Sequence, residues 1–193
     1  MSPAPLETCG GTTQQQQPSE GALPLRLTSV VVRGYGRGST DLGIPTANLS
    51  RENIKLNLVG VSFDDLPTGI YWGFCRVGDN PTIFKTACSI GYNPYYGNQR
   101  KTVEPHLIAS PGDERRYQSS CGETLLGDLY DQPIRLSLLE YMRPELPFEG
   151  LEKLVAAIKK DIMDAERLGE KKDPTTMEEK AWVACDDEPI PQS

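Results

Sequence analysis

Two short runs hold the residue types from which phosphate chemistry is built. In the first, Gly34, Gly36, Gly38 and Gly43 place four glycines within ten residues. Glycine lets a backbone adopt positive φ and come close to a ligand, and successive N–H groups in such a turn form a concavity for anions. Pro45 then fixes its own φ and biases Ile44 toward an extended conformation. If the chain stays extended, Thr46 and Asn48 point to one face. They offer a hydroxyl and an amide oxygen, hard neutral ligands suited to Mg²⁺ already held by phosphates. The second run is Lys101 to Ile108, Lys-Thr-Val-Glu-Pro-His-Leu-Ile. Strand alternation puts Val103, Pro105 and Leu107 on one face and Thr102, Glu104, His106 and Ile108 on the other, so a carboxylate stands beside the chain's single histidine.

The same residues also fit plainer roles. The first run can be a glycine-rich turn between strands, with Thr46 and Asn48 making local bonds. The second can be an exposed face with a solvated Glu and His. Neither matches a common template: the glycines do not form G-x-G-x-x-G, and no Gly-Lys-Ser/Thr closes a P-loop.

The elements around these runs read mainly as strands. Leu25 to Val32 is a strand that feeds the glycine run, and Ala47 to Leu49 begins the next. Residues 51 to 67 are mixed, with a short helical turn. Thr68 to Val77 and Thr82 to Ile90 form a hairpin over 69 to 90, joined by the turn cluster Gly78-Asp79-Asn80-Pro81. Gly91 to Tyr96 is an aromatic loop that could simply cover a barrel end. Pro105 implies an edge strand or a bulge. Residues 109 to 128 form a polar loop, either an insertion or a mobile flap. Ile134 to Met142 is the last strand. Phe148, Leu151, Leu154, Val155, Ile158 and Ile162 follow helical spacing, ending near Gly169; this helix is expected as a lid over an open side of the body. Asp173-Pro174 to Ala184 suits a short second helix docked through Trp182 and Val183.

Strands separated by turns, then one helix, indicate a small antiparallel barrel with a C-terminal α-helix. The expected layout is a disordered tail over 1–23, rich in Gln, Pro, Gly, Ser and Thr, a barrel domain with its helix over 24–170, and a C-terminal extension over 171–193.

Composition excludes several classes. The 193 residues carry a net charge of −7, which repels phosphate backbones and argues against nucleic acid as a partner. No apolar run approaches the roughly 20 residues that span a bilayer. The five cysteines are odd in number and widely spaced, without C-x-x-C, which suits a reduced intracellular protein. A cytoplasmic location is expected, with mitochondrial association as the alternative. The tail has no apolar h-region, and its first basic side chain is Arg26. One histidine rules out a two-histidine catalytic motif.

Gly36-Arg37-Gly38-Ser39 followed by Leu42-Gly43-Ile44-Pro45-Thr46-Ala47-Asn48 is similar to the signature of the riboflavin kinase (flavokinase) family. Ser89-Ile90-Gly91-Tyr92-Asn93-Pro94-Tyr95-Tyr96 and Arg143-Pro144-Glu145 closely followed by Phe148 resemble it further. The likeness runs over about residues 25 to 168. It implies a six-stranded antiparallel Greek-key barrel, of the eukaryotic single-function type, and transfer of the ATP γ-phosphoryl group to the riboflavin 5′-hydroxyl, giving FMN and ADP. It implies Glu104 as catalytic base. It places Gly34, Gly36, Arg37, Gly38, Ser39, Thr40, Leu107, Ala109 and Tyr130 at the nucleotide, and Thr46 and Asn48 at Mg²⁺, with Zn²⁺ or Mn²⁺ as alternative metals. Arg143, Leu146 and Phe148 fall on the flavin side, and a monomer is expected. Thr40 stands where the family often carries Lys, which leaves Arg37 or Lys101 to supply that charge. The likeness also favours an insertion at 109–128. A second, FAD-forming activity would need more chain and more histidines. The remaining alternative is a non-catalytic flavin- or nucleotide-binding barrel, which needs neither the Thr46/Asn48 pair nor Glu104.

Overall fold

In the first strand, β1 (Leu25–Val32), every second residue is buried: Leu25, Leu27, Ser29 and Val31 face inward. That two-residue period is what one apolar face of a barrel demands. The computed structural model describes residues 22–33, 46–58, 60–92, 100–113 and 129–185. Gly34, Gly36, Arg37, Gly38, Ser39 and Thr40 lie outside these residues, as do 1–21, the Asn93–Tyr96 part of the aromatic loop, 114–128 and 186–193.

Six further strands follow: β2 (Asn48–Leu49), β3 (Lys55–Leu56), β4 (Gly69–Val77), β5 (Phe84–Tyr92), β6 (Lys101–Ile108) and β7 (Pro133–Arg143). All described pairs are antiparallel. The order is β2-β1-β7-β4-β5-β6, with β3 pairing β1 further along. Strands β4, β5 and β6 run consecutively and β7 returns to lie beside β4, which is a Greek key. A bridge between Thr46 and His106 brings the chain before β2 onto β6, with the Ala47 N–H donating to the Pro105 carbonyl at 3.0 Å. The six-strand barrel is thereby nearly closed. Pro105 sits on this short seam, so its missing N–H interrupts no long ladder, as expected of a strand proline.

Two cores hold the fold. The interior of the barrel packs Leu27, Tyr71, Cys75, Ile90, Val103, Leu107, Leu136 and Leu138. A second cluster lies on the outer face, where Trp72, Phe74, Ala87 and Leu139 meet helices α1 (Leu151–Leu168) and α2 (Pro174–Ala184) through Ile162, Ala165, Trp182 and Val183. Strand β4 is therefore buried on both sides, which explains its unbroken apolar run. At a register irregularity between Trp72 and Gly73 the strands close in, and a Cβ on Gly73 would stand 1.8 Å from the Ser137 carbonyl oxygen. Helix α1 thus packs on the outer sheet face instead of lidding an open side.

The second helix forms as the sequence suggests. Asp173 caps it, accepting from the Thr176 N–H at 3.0 Å, and Pro174 occupies its first turn. Glu179, 3% exposed, fastens it to the barrel by accepting from Arg26 at 2.9 and 3.0 Å and from the Ser137 hydroxyl at 2.7 Å.

Other boundaries differ from expectation. The β4–β5 connection spans residues 78–83, longer than the turn cluster, because β5 starts at Phe84 and runs on to Tyr92. Residues 51–67 hold two 3₁₀ turns, Arg51–Asn53 and Phe63–Asp65, and the short β3 between them. Among the described residues no helix is long and apolar enough to cross a membrane.

Candidate active site

The outer face of β5 and β6 beyond the helices carries the polar residues. Directly paired across the ladder are Ala87 with His106, Ser89 with Glu104, and Gly91 with Thr102. Side chains of opposed residues share a face, so Thr102, Glu104 and His106 stand in a row with Ser89 and Gly91 beside them. All three of that row are partly buried, whereas Val103 and Leu107 point into the barrel. The strict alternation read from Lys101–Ile108 therefore holds in the fold.

Glu104 accepts a hydrogen bond from the Thr102 hydroxyl at 3.0 Å. Burial pushes its carboxyl above the usual carboxylate range, and the Thr102 bond partly opposes the shift. A carboxylate raised this way is a better proton acceptor than a solvated one.

The seam brings alongside Thr46 and Asn48, the residues expected at the metal. Thr46 and Asn48 are partly exposed while Ala47 and Leu49 are buried, so the first two share the outer side as their spacing predicts. The Thr46 hydroxyl and His106 Nδ1 are 2.9 Å apart. Burial pushes the His106 imidazole down to about 4, so the ring is neutral near pH 7. A Thr46 hydroxyl donating to Nδ1 turns its oxygen lone pairs away from the ring. Among the described residues no cluster of three or more His, Cys, Asp or Glu could hold a metal. Two neutral oxygens suit a hard cation whose remaining ligands are phosphate oxygens and water, and suit Zn²⁺ poorly.

The residues expected at the nucleotide are more scattered. Leu107 and Ala109 are buried, with Leu107 inside the barrel, so only their backbone groups could meet a ligand without repacking. Tyr130 lies in the turn before β7, with the Arg33 guanidinium 4.3 Å from its ring centroid. This places it where β1 leaves for the glycine run. Lys101, expected as one source of charge for phosphate, is committed elsewhere. It shares the inward parity of Val103, is 4% exposed, and donates to the carbonyls of Asp64 and Leu66 at 2.6 and 2.5 Å.

Among the residues expected on the flavin side, Arg143 clamps α1. Its Nε and Nη2 donate to the two Asp161 oxygens at 2.8 and 2.6 Å, and Nη1 donates to the Pro144 carbonyl at 2.9 Å. The guanidinium also lies 5.8 Å from the Phe148 ring centroid. Leu146 is 53% exposed. One neighbour was not assigned from sequence: Glu145 accepts from the Ser89 hydroxyl at 3.2 Å, beside Glu104. No local pattern links residues 89 and 145.

A family model described as "Flavokinase: Riboflavin kinase" matches residues 22–168. The chain belongs to the riboflavin kinase family. Riboflavin kinase of Mus musculus is 39% identical over 146 residues, covering 76% of this chain and 81% of that protein. Riboflavin kinase of Homo sapiens is 39% identical over 145 residues, covering 75% and 81%. The crystal structure of riboflavin kinase from Trypanosoma brucei shares the fold with a TM-score of 0.55 at 22% identity, covering 88% of this chain and 94% of that one.

Proposed function

We propose that this chain transfers the γ-phosphoryl group of ATP to the 5′-hydroxyl of riboflavin, giving FMN and ADP, with the Glu104 face of β6 as the reacting centre. The observation that carries the assignment is the apposition across the seam. A partly buried, proton-avid carboxylate stands on β6 two residues from His106, which bridges to Thr46, and each alone would be an ordinary strand feature.

The roles follow from what phosphoryl transfer needs, which is positioning and charge neutralisation with little covalent chemistry from the protein. Glu104 accepts the proton of the attacking hydroxyl, a contribution of roughly 10²–10⁴ in rate. Thr102 holds one carboxylate oxygen and so orients the other. Thr46 and Asn48 would hold Mg²⁺, which when bound neutralises charge on the nucleotide phosphates; Mn²⁺ suits the same oxygens. His106, neutral and bonded to Thr46, fixes that hydroxyl. The Gly34–Ser39 backbone cradles phosphates, Thr40 follows that loop, and Leu107, Ala109 and Tyr130 border the nucleotide. Leu146 and Phe148 face the flavin, and Arg143, engaged with Asp161, holds their segment in place.

The test is direct. Purified protein incubated with riboflavin and MgATP should yield FMN and ADP in equal amounts by chromatography. Failure to convert riboflavin would contradict the assignment, and FAD as a product would contradict its restriction to a single activity.

A further inference from the structure

We propose that Glu145 is a positioning residue of the riboflavin site, latching the 144–148 segment onto the strand pair that carries Glu104. The inference rests on the assignment of this face to riboflavin. Three contacts carry it. Arg143, the last residue of β7, is held by Asp161 on α1, and Pro144 restricts the next φ, so the chain leaves the barrel in a set direction. Glu145 then turns back onto β5, where the Ser89 hydroxyl donates to its Oε1 at 3.2 Å. Its carboxylate also lies flat on Gly91: a Cβ there would stand 2.0 Å from Oε1 and 2.3 Å from Cδ. Only glycine leaves room for this seat.

The seat is next to the chemistry. Ser89 and Gly91 are the direct ladder partners of Glu104 and Thr102. The electrostatics agree with that closeness, since burial raises the Glu145 carboxyl and the Glu104 charge raises it further. The latch sets where Leu146 and Phe148, the next two apolar side chains, stand relative to Glu104. Without it, one end of the segment is still held by Arg143, but the part that faces riboflavin is not.

The experiment uses the full chain and follows riboflavin affinity by flavin fluorescence, with kcat and thermal unfolding measured alongside. Glu145→Ala should weaken riboflavin binding about fivefold or more through loss of a charged hydrogen bond, with kcat at saturation within about threefold of wild type. Glu145→Gln should recover most of the affinity, because its amide oxygen still accepts from Ser89. Gly91→Ala should weaken binding about as much as Glu145→Ala, because the new methyl evicts the carboxylate. Adding Gly91→Ala to Glu145→Ala should then cost little more, a non-additivity expected of contacting residues. Wild-type affinity in a folded Glu145→Ala variant, or additive losses in the double variant, would overturn the latch. No riboflavin binding by the wild type would instead overturn the parent assignment, and the latch with it.

Discussion

His106 gives the sharpest physical prediction, because it is the chain's only histidine and reports alone. Burial moves its imidazole from an ordinary 6.5 down to about 4. The unfolded chain therefore binds a proton near pH 6.5 that the folded chain refuses until about pH 4. The stability this confers is fully present above pH 6.5 and is lost as pH falls toward 4. At about 1.4 kcal/mol per pH unit of difference, the full loss is about 3 kcal/mol, with about 2 kcal/mol already gone at pH 5. Glu104 and Glu145 work the other way, since their raised carboxyls favour the fold as they take up protons. The readout is thus the difference between wild type and His106→Gln, whose amide can still bond Thr46. Urea unfolding in metal-free buffer should show that difference shrinking between pH 7 and pH 5, and the single histidine ring resonance should titrate near 4 by proton NMR. A midpoint at or above 6, or a difference that does not change with pH, would refute the reasoning.

Two other substitutions probe separate parts of the molecule. Glu179→Ala leaves the buried Ser137 without its partner and Arg26 with the exposed Glu178 alone and should cost about 2–3 kcal/mol in urea unfolding, with Glu179→Gln milder; a loss below about 1 kcal/mol would show that this network does not fasten α2. Thr46→Ala removes a hard oxygen from the ledge and should raise the Mg²⁺ requirement while lowering kcat. Unchanged metal dependence and activity in the folded variant would remove Thr46 from the metal site.

How far the sequence could be read depended on whether the physics was local. Strand β6 was legible to the residue, with both faces, because Lys101–Ile108 alternates strictly and its partner side is half-solvated. Strand β4 was legible as a strand but not by face, since the helices cover its outer side and every position but Arg76 is apolar or small. The stripe from Phe148 to Ile162 showed that α1 must pack, but a helical stripe carries no address, and the expected lid is in fact an outer layer. Lys101 looked available to phosphate because lysine is ordinarily exposed, although its parity with Val103 already pointed inward. The two-residue β3 has too little pattern to register. The apposition of Thr46 with His106, and of Glu145 with Ser89, arises only when the barrel closes, so no spacing in the chain announces either. The resemblance of the Gly36–Asn48 and Arg143–Phe148 segments to riboflavin kinases supplied the family where spacing alone left turns and solvated faces open.

The central claim is that Glu104 takes the proton of the attacking hydroxyl, and steady-state kinetics of Glu104→Gln test it most directly. The substitution keeps the shape and the bond from Thr102 while removing the basic oxygen. Loss of a general base predicts a kcat lower by roughly two to four orders of magnitude, a barrier higher by about 3–5 kcal/mol. Riboflavin and MgATP affinities should change little, because the interaction is made mainly in the transition state. A kcat within about threefold of wild type would contradict the account, since general-base catalysis cannot be removed at so small a loss.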